Sequence, residues 1–391
     1  MKRAALQAGL SLIELMVALV IGSILMLGVV QVFGASRATY QLSDGMSRAQ
    51  ENGRFAMDFL QRDIRMAGHF GCVNDQAHAQ KTPSGLSTTF ASSPHPGLDF
   101  NLSIQGFEAK GTGPGTTVTI SSAPETGSTE FEPALPAQVA AATGNRIAGS
   151  DILVLRYLAP EGVPVTAIGG SLGEPEFTFD AARWDVLRSG VGDPGLFGVA
   201  DCLHTTLFQA SAVEPGKVTF AAGAELNAST FANGYTEGQS YLHRAESIVY
   251  YVGRNEFGGT SLYRVRFTAG PDAVLGTDRQ EMVEGVENLQ LLYGQDRVVD
   301  PAKSPSGFID RHHVAADVTD GSATGTADAW RRVGSVRLGL LAASPDRAAA
   351  PEAVEGNELR STGVVYSVPA DGRYRATYQT TVALRNRLYG N

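Results

Sequence analysis

From Leu10 to Ala35 the chain reads LSLIELMVALVIGSILMLGVVQVFGA, a run of 26 residues in which Glu14 is the only charge. At about 1.5 Å rise per residue it predicts roughly 39 Å of helix, enough to cross a hydrocarbon core of about 30 Å. Lys2 and Arg3 precede the run, and only Arg37 follows before acids begin to balance bases at Asp44. The positive-inside rule therefore places the N-terminus in the cytoplasm and the remainder across the membrane. The stretch from Ser36 to Ala67 contains no proline and ends before Gly68, a C-cap glycine. Ala49, Ala56, Phe59, Leu60, Ile64 and Ala67 recur at helical spacing, so residues 36–68 are expected to continue the helix with one apolar face. Arg54 with Asp58, and Asp58 with Arg62, are i,i+4 pairs on its wetter side. Gly45 and Gly53 each cost about 1 kcal/mol relative to Ala in a helix, and a bend or melted turn is expected there.

Beyond His69 the period changes to two. Tyr374, Ala376, Tyr378, Thr380, Val382 and Leu384 alternate with more polar neighbours, and so do Val336, Leu338 and Leu340. Both are half-buried strand patterns. Ile152 to Leu155 and Ser247 to Val252 are compact apolar runs that suggest strands covered on both faces. Lys81 to about Ala148, and Val299 to Asp328, are diluted by Gly, Ser, Thr, Pro and Ala and read as loop-rich insertions. The expected fold class is α+β, with a long N-terminal helix packed on an enlarged antiparallel β-rich head. A head of this size leaves room for a second small β-subdomain.

Composition sharpens this division. The chain has 391 residues, 43% of them hydrophobic and 18% charged, with a formal net charge of −9. That excludes wholesale disorder, and the acidic balance argues against a nucleic-acid binder. The near-zero mean hydropathy is the sum of a greasy helix and an acidic head.

A carboxylate inside an apolar span costs about 2.5–3.5 kcal/mol at mid-bilayer, so Glu14 asks for a function. A short leader, MKRAALQAG, ends in Gly9 and is followed by LSLIE. This resembles the signal of type IV pilins and pseudopilins, although the family more often has Phe where this chain has Leu10. The resemblance implies that residues 1–9 are a leader removed by a prepilin peptidase between Gly9 and Leu10, and that Leu10 becomes the N-methylated first residue. It also implies that Glu14 pairs with the terminal ammonium of an incoming subunit, so that two charges costly in lipid neutralise each other. The run from Gln50 to Cys72 is similar to the hallmark segment of the PilW family of minor pilins. The stretches Glu284 to Asp296, Val333 to Ser344 and Thr380 to Gly390 are similar to it as well.

That family implies a subunit of the inner membrane, with residues 10–35 as the transmembrane and assembly helix and residues 69–391 as a periplasmic head. Its expected partners are the prepilin peptidase, other minor pilins, the major pilin, inner-membrane lipid and a PilY-type tip protein, with a place in a priming complex and at the pilus tip. No cofactor and no metal is implied. Cys72 and Cys202 form an even count in an oxidising compartment, which favours one bridge over two buried thiols. Such a loop is worth on the order of 4–5 kcal/mol before strain.

Other classes leave weaker traces. A J-type pseudopilin of a type II secretion system shares the signal and topology. A secreted or anchored envelope enzyme would instead begin near Gly34 to Ser36 after signal cleavage. Gly169 to Gly173 matches G-x-S-x-G with Ser171 at its centre, but Glu174, Pro175 and a strand-like run follow where a nucleophile elbow needs a helix. His312 and His313 lack metal-ligand spacing and read as loop histidines. The Asp317 to Asp328 segment lacks the alternation of a calcium loop and reads as a solvated turn. The expectation is assembly without catalysis.

Overall fold

The computed structural model describes residues 11–71, 85–91, 95–127, 130–348 and 358–387. A single helix runs from Leu12 to Met66 without interruption. Neither Gly45 nor Gly53 melts it, contrary to the expectation from propensity. Both glycines are instead places of close approach. A Cβ on Gly45 would sit 2.3 Å from the Ala348 Cβ, and one on Gly53 would sit 2.2 Å from the Tyr378 ring. The Tyr378 hydroxyl donates to the Ala49 carbonyl at 3.3 Å. The helix stops where the sequence indicated, at a positive-φ Gly68. Its end is also held from far away, because the Asn386 side chain donates to the Arg65 carbonyl at 3.0 Å.

The C-terminal half of the helix lies in a seam between two sheets. The larger sheet is built around Tyr241–Arg254, a strand of 14 residues. One edge of this strand pairs with Ile152–Leu158, which pairs in turn with Ile104–Ala109. Its other edge pairs first with Leu196–Ala200 and then with Thr260–Thr268, and the latter carries Gly276–Glu284. The second sheet orders Ile309–His313, Val286–Asp296, Val333–Ala343 and Arg375–Ala383, all antiparallel. Ala56, Leu60 and Ile64 of the helix share one core with Leu153, Leu155 and Tyr250 of the first sheet and with Leu291, Leu338 and Val382 of the second.

Two smaller sheets complete the head. Ala167–Gly170, Pro175–Thr178, Ala212–Glu214 and Lys217–Thr219 form one, over an aromatic core in which the Phe220 and Phe231 rings lie 4.8 Å apart. The other joins Leu359–Ser361, Val364–Ser367 and Thr117–Thr119. It covers the face of the second sheet that alternation marked as polar. As a result Arg375 is buried, held by Glu287 at 2.7 Å and Asp371 at 2.7 Å. Two pairings are parallel, Leu86–Thr88 with Thr205–Gln209 and Val364–Ser367 with Thr117–Thr119.

Residues 149–151 tie the two main sheets together. The Asp151 carboxylate accepts from the Ala109 N–H at 3.0 Å and from the Leu291 N–H at 2.8 Å, one strand from each sheet. Asn288 and Gln290 donate to the Gly149 carbonyl at 2.7 and 3.1 Å. Glu108 is buried beside Asp151, and desolvation together with that neighbouring carboxyl pushes its pKa up. The folded chain thus keeps a proton on Glu108 that an unfolded chain releases near the ordinary carboxylate value.

Two outcomes follow from these contacts. Because the native state binds the extra proton, stability falls as pH rises above the unfolded value. Melting curves taken from about pH 5 to about pH 9 should show this decline, and Glu108→Gln should flatten it and raise the melting temperature at the alkaline end. Gly53→Ala should destabilise the head by about 1–3 kcal/mol through overpacking against Tyr378, despite alanine's better helix propensity. Adding Tyr378→Ala should recover part of that loss relative to Tyr378→Ala alone; equal costs of Gly53→Ala in both backgrounds would refute the contact.

Candidate assembly interface

The cleavage pair Gly9 and Leu10 lies outside the described residues. The helix begins immediately after it, with Ser11 as N-cap. The Ser11 hydroxyl accepts from the Ile13 N–H at 3.3 Å, and the Glu14 Oε2 accepts from the Ser11 N–H at 2.9 Å. This is a capping box, S-x-x-E, which the sequence carries openly at residues 11–14 but which was not anticipated. A carboxylate in the first turn also faces the positive end of the helix dipole. Glu14 therefore has a local partner within its own chain, and that offsets part of the cost of holding it in lipid.

From Leu12 to Phe33 the helix packs against nothing in the head. Leu12 is 80% exposed and Phe33 is 70% exposed. Positions 22, 28 and 34 are glycines, and beyond the helix's own adjacent backbone no atom of the described residues comes within 4 Å of where a Cβ would stand. This segment is the one helix among the described residues long and apolar enough to cross a membrane. Such a surface is stable only against lipid tails or other helices.

Above this segment three polar side chains of the Gln50 to Cys72 run, those of Asn52, Asp63 and His69, dock on the head, while Gln50, Glu51, Arg54, Asp58, Arg62 and Arg65 are exposed. Asn52 donates to the Glu284 carbonyl at 3.0 Å. Asp63 accepts from the Tyr250 hydroxyl at 2.6 Å and lies 3.6 Å from the Arg264 guanidinium. Burial raises the Asp63 pKa, against the lowering effects of Tyr250 and Arg264. The Gly68 N–H donates to the Arg156 carbonyl at 3.1 Å, and His69 Nδ1 lies 2.9 Å from the Leu158 carbonyl. The expected pairs Arg54–Asp58 and Asp58–Arg62 are not among the ion pairs of the described residues, whereas Arg48–Asp44 closes at 3.1 Å. That pair flanks the Gly45 contact with Ala348, with both side chains about half exposed.

The weaker chemical candidates resolve into structural parts. Ser171 sits on the exposed turn of an antiparallel hairpin between Ala167–Gly170 and Pro175–Thr178, where its hydroxyl accepts from the Glu174 N–H at 3.2 Å. It is not on a strand-to-helix elbow. His312 and His313 lie on the Ile309–His313 strand and not in a loop, so they point to opposite faces, and His312 Nε2 lies 3.1 Å from the Ser335 hydroxyl. Asp320 spends its carboxylate on its own turn, accepting from Ala323 N–H and the Thr326 hydroxyl at 2.8 and 2.7 Å. Cys202 is exposed after the Leu196–Ala200 strand, and Cys72 lies outside the described residues.

Residues 249–386 match the family model of PilW, the type IV pilus-assembly protein W. Residues 5–30 match the prokaryotic N-terminal methylation motif. The first match runs from the middle of the Tyr241–Arg254 strand to Asn386 and takes in the whole second sheet. The second covers the leader junction, the capping box and most of the bare helix. No curated protein and no solved structure matches the chain.

Proposed function

This chain is a PilW-family type IV minor pilin, and we propose that it acts without catalysis, by inserting its bare helix into a bundle of pilin helices and so priming pilus assembly. The observation that carries this is the exposed apolar half-helix headed by Glu14, whose carboxylate partner among the described residues is its own Ser11 cap. Prepilin peptidase cuts between Gly9 and Leu10 and the new Leu10 amine is methylated. Glu14 then exchanges the Ser11 N–H for the ammonium of a neighbouring subunit, replacing a neutral donor by a charged one inside lipid. The helix makes a single pass of the inner membrane with the head in the periplasm. There the head selects other minor pilins, the major pilin and a PilY-type protein at the pilus tip.

Cys72 and Cys202 belong to the same proposal as one bridge. Supporting it, a Cβ on Gly71 would lie 2.7 Å from the Ala200 Cβ, and the Phe70 carbonyl accepts from the Thr205 hydroxyl at 2.8 Å. Each cysteine thus follows closely on a residue docked against the other's neighbour.

Glu14→Ala should be processed and inserted normally but fail to co-purify with other minor pilins, with piliation strongly reduced. Ser11→Ala, which removes only the side-chain half of the cap, should assemble. An equal defect in both would make Glu14 a capping residue and nothing more. For the bridge, the oxidised chain should migrate faster than the reduced chain on a denaturing gel and expose no alkylatable thiol; two reactive thiols in the unfolded, unreduced chain would exclude it.

A further inference from the structure

Three adjacent strands of the large sheet carry a polar row on the face turned away from the helix. Ile104, Leu155 and Ile248 belong to the helix core. By alternation their neighbours Ser103, Arg156 and Ser247 face the opposite side. Arg156 is the register partner of Ser247, and its N–H donates to the Ser103 carbonyl at 2.8 Å, so the three stand side by side. The row separates two apolar clusters on that face, one around Phe70, Phe100 and Leu158, the other around Phe107, Val154 and Phe267. All three residues are 0% exposed.

The row is short of partners. Arg156 Nη1 donates to the Leu102 carbonyl at 2.5 Å and Nη2 donates to the Pro96 carbonyl. The Nε of Arg156 and the hydroxyls of Ser103 and Ser247 have no hydrogen-bond partner among the described residues. Burial pulls the Arg156 pKa down to about 10, and the coulombic pull of Asp99 opposes that shift. The side chain therefore remains a cation at neutral pH, desolvated and resting on two carbonyl dipoles.

We propose that the Ser103–Arg156–Ser247 row binds a small monovalent anion of chloride size, held by the Arg156 Nε–H and the two serine hydroxyls. A trapped water would satisfy the hydroxyls but leave the buried positive charge with two carbonyl dipoles and the coulombic pull of Asp99, short of a direct counter-charge. An anion meets both needs. The complete burial of the row limits the occupant to a small ion and implies that it is taken up as the chain folds. It would then serve as a structural ion between the two outer clusters.

The test uses the mature full-length chain in detergent, unfolded and refolded in sodium chloride or in sodium gluconate at equal ionic strength. The melting temperature should rise by several degrees, saturably, as chloride replaces gluconate. The double variant Ser103→Ala with Ser247→Ala should fold, as judged by circular dichroism, and lose most of that increment. Crystals grown in bromide should show an anomalous peak beside Arg156. Identical wild-type melting in the two salts, an undiminished increment in the double variant, or a bromide map without that peak would each overturn the proposal.

Discussion

The head is seated on the long helix by a close contact between a glycine and an aromatic ring. Gly53 lies so close to Tyr378 that no side chain fits between them, and the Tyr378 hydroxyl reaches the helix backbone at Ala49. A helix of 55 residues with a bare N-terminal half has no other means of transmitting orientation to the head than its C-terminal half. Close backbone approach makes that half a rigid part of the second sheet. It also allows Ala56, Leu60 and Ile64 to reach strands of both sheets from one stripe. Asn386 then caps the helix end, so the last described strand and its following turn brace the element that began the chain.

Charge in this head collects at seams. Asp63 joins the helix to Tyr250 and Arg264, Asp151 joins the two main sheets, and Arg375 joins Glu287 to Asp371 under the smallest sheet. Buried ion pairs add little net stability against an apolar replacement, yet breaking one is costly because the survivor is left desolvated. Placed at seams, they penalise any arrangement in which two layers slide past one another. Apolar contacts in the same places would tolerate such sliding, since they are not directional.

The match to PilW leaves out residues before 249 apart from the N-terminal motif. That omitted region contains the aromatic subdomain around Phe177, Phe208 and Phe231 and most strands of the larger sheet. The match to the family thus takes in the second sheet and the strands leading into it, the N-terminal motif takes in the helix only as far as residue 30, and residues 31–248 lie outside both. The unmatched region contributes Ile104, Leu153 and Leu155 to the helix core and builds a separate apolar core around Phe177, Phe208 and Phe231.

Much of this was readable in the chain because the signals were local. A 26-residue run with one charge, a glycine before it and a carboxylate one turn in specify a membrane helix and its processing motif with no reference to the remaining residues. The alternations at residues 336–340 and 374–384 likewise placed strands correctly, since a period of two is a property of neighbours. What the chain could not express locally went astray for one reason. Gly53 was a weak point by propensity and became a close contact because Tyr378, 325 positions later, requires the space. Arg375 sat on a face marked as wet until a third layer covered it, and His312 and His313 joined a strand edge when a loop was expected. A helix long and apolar enough to cross a membrane, an N-terminal methylation motif and a β-rich head are all written in runs of neighbouring residues.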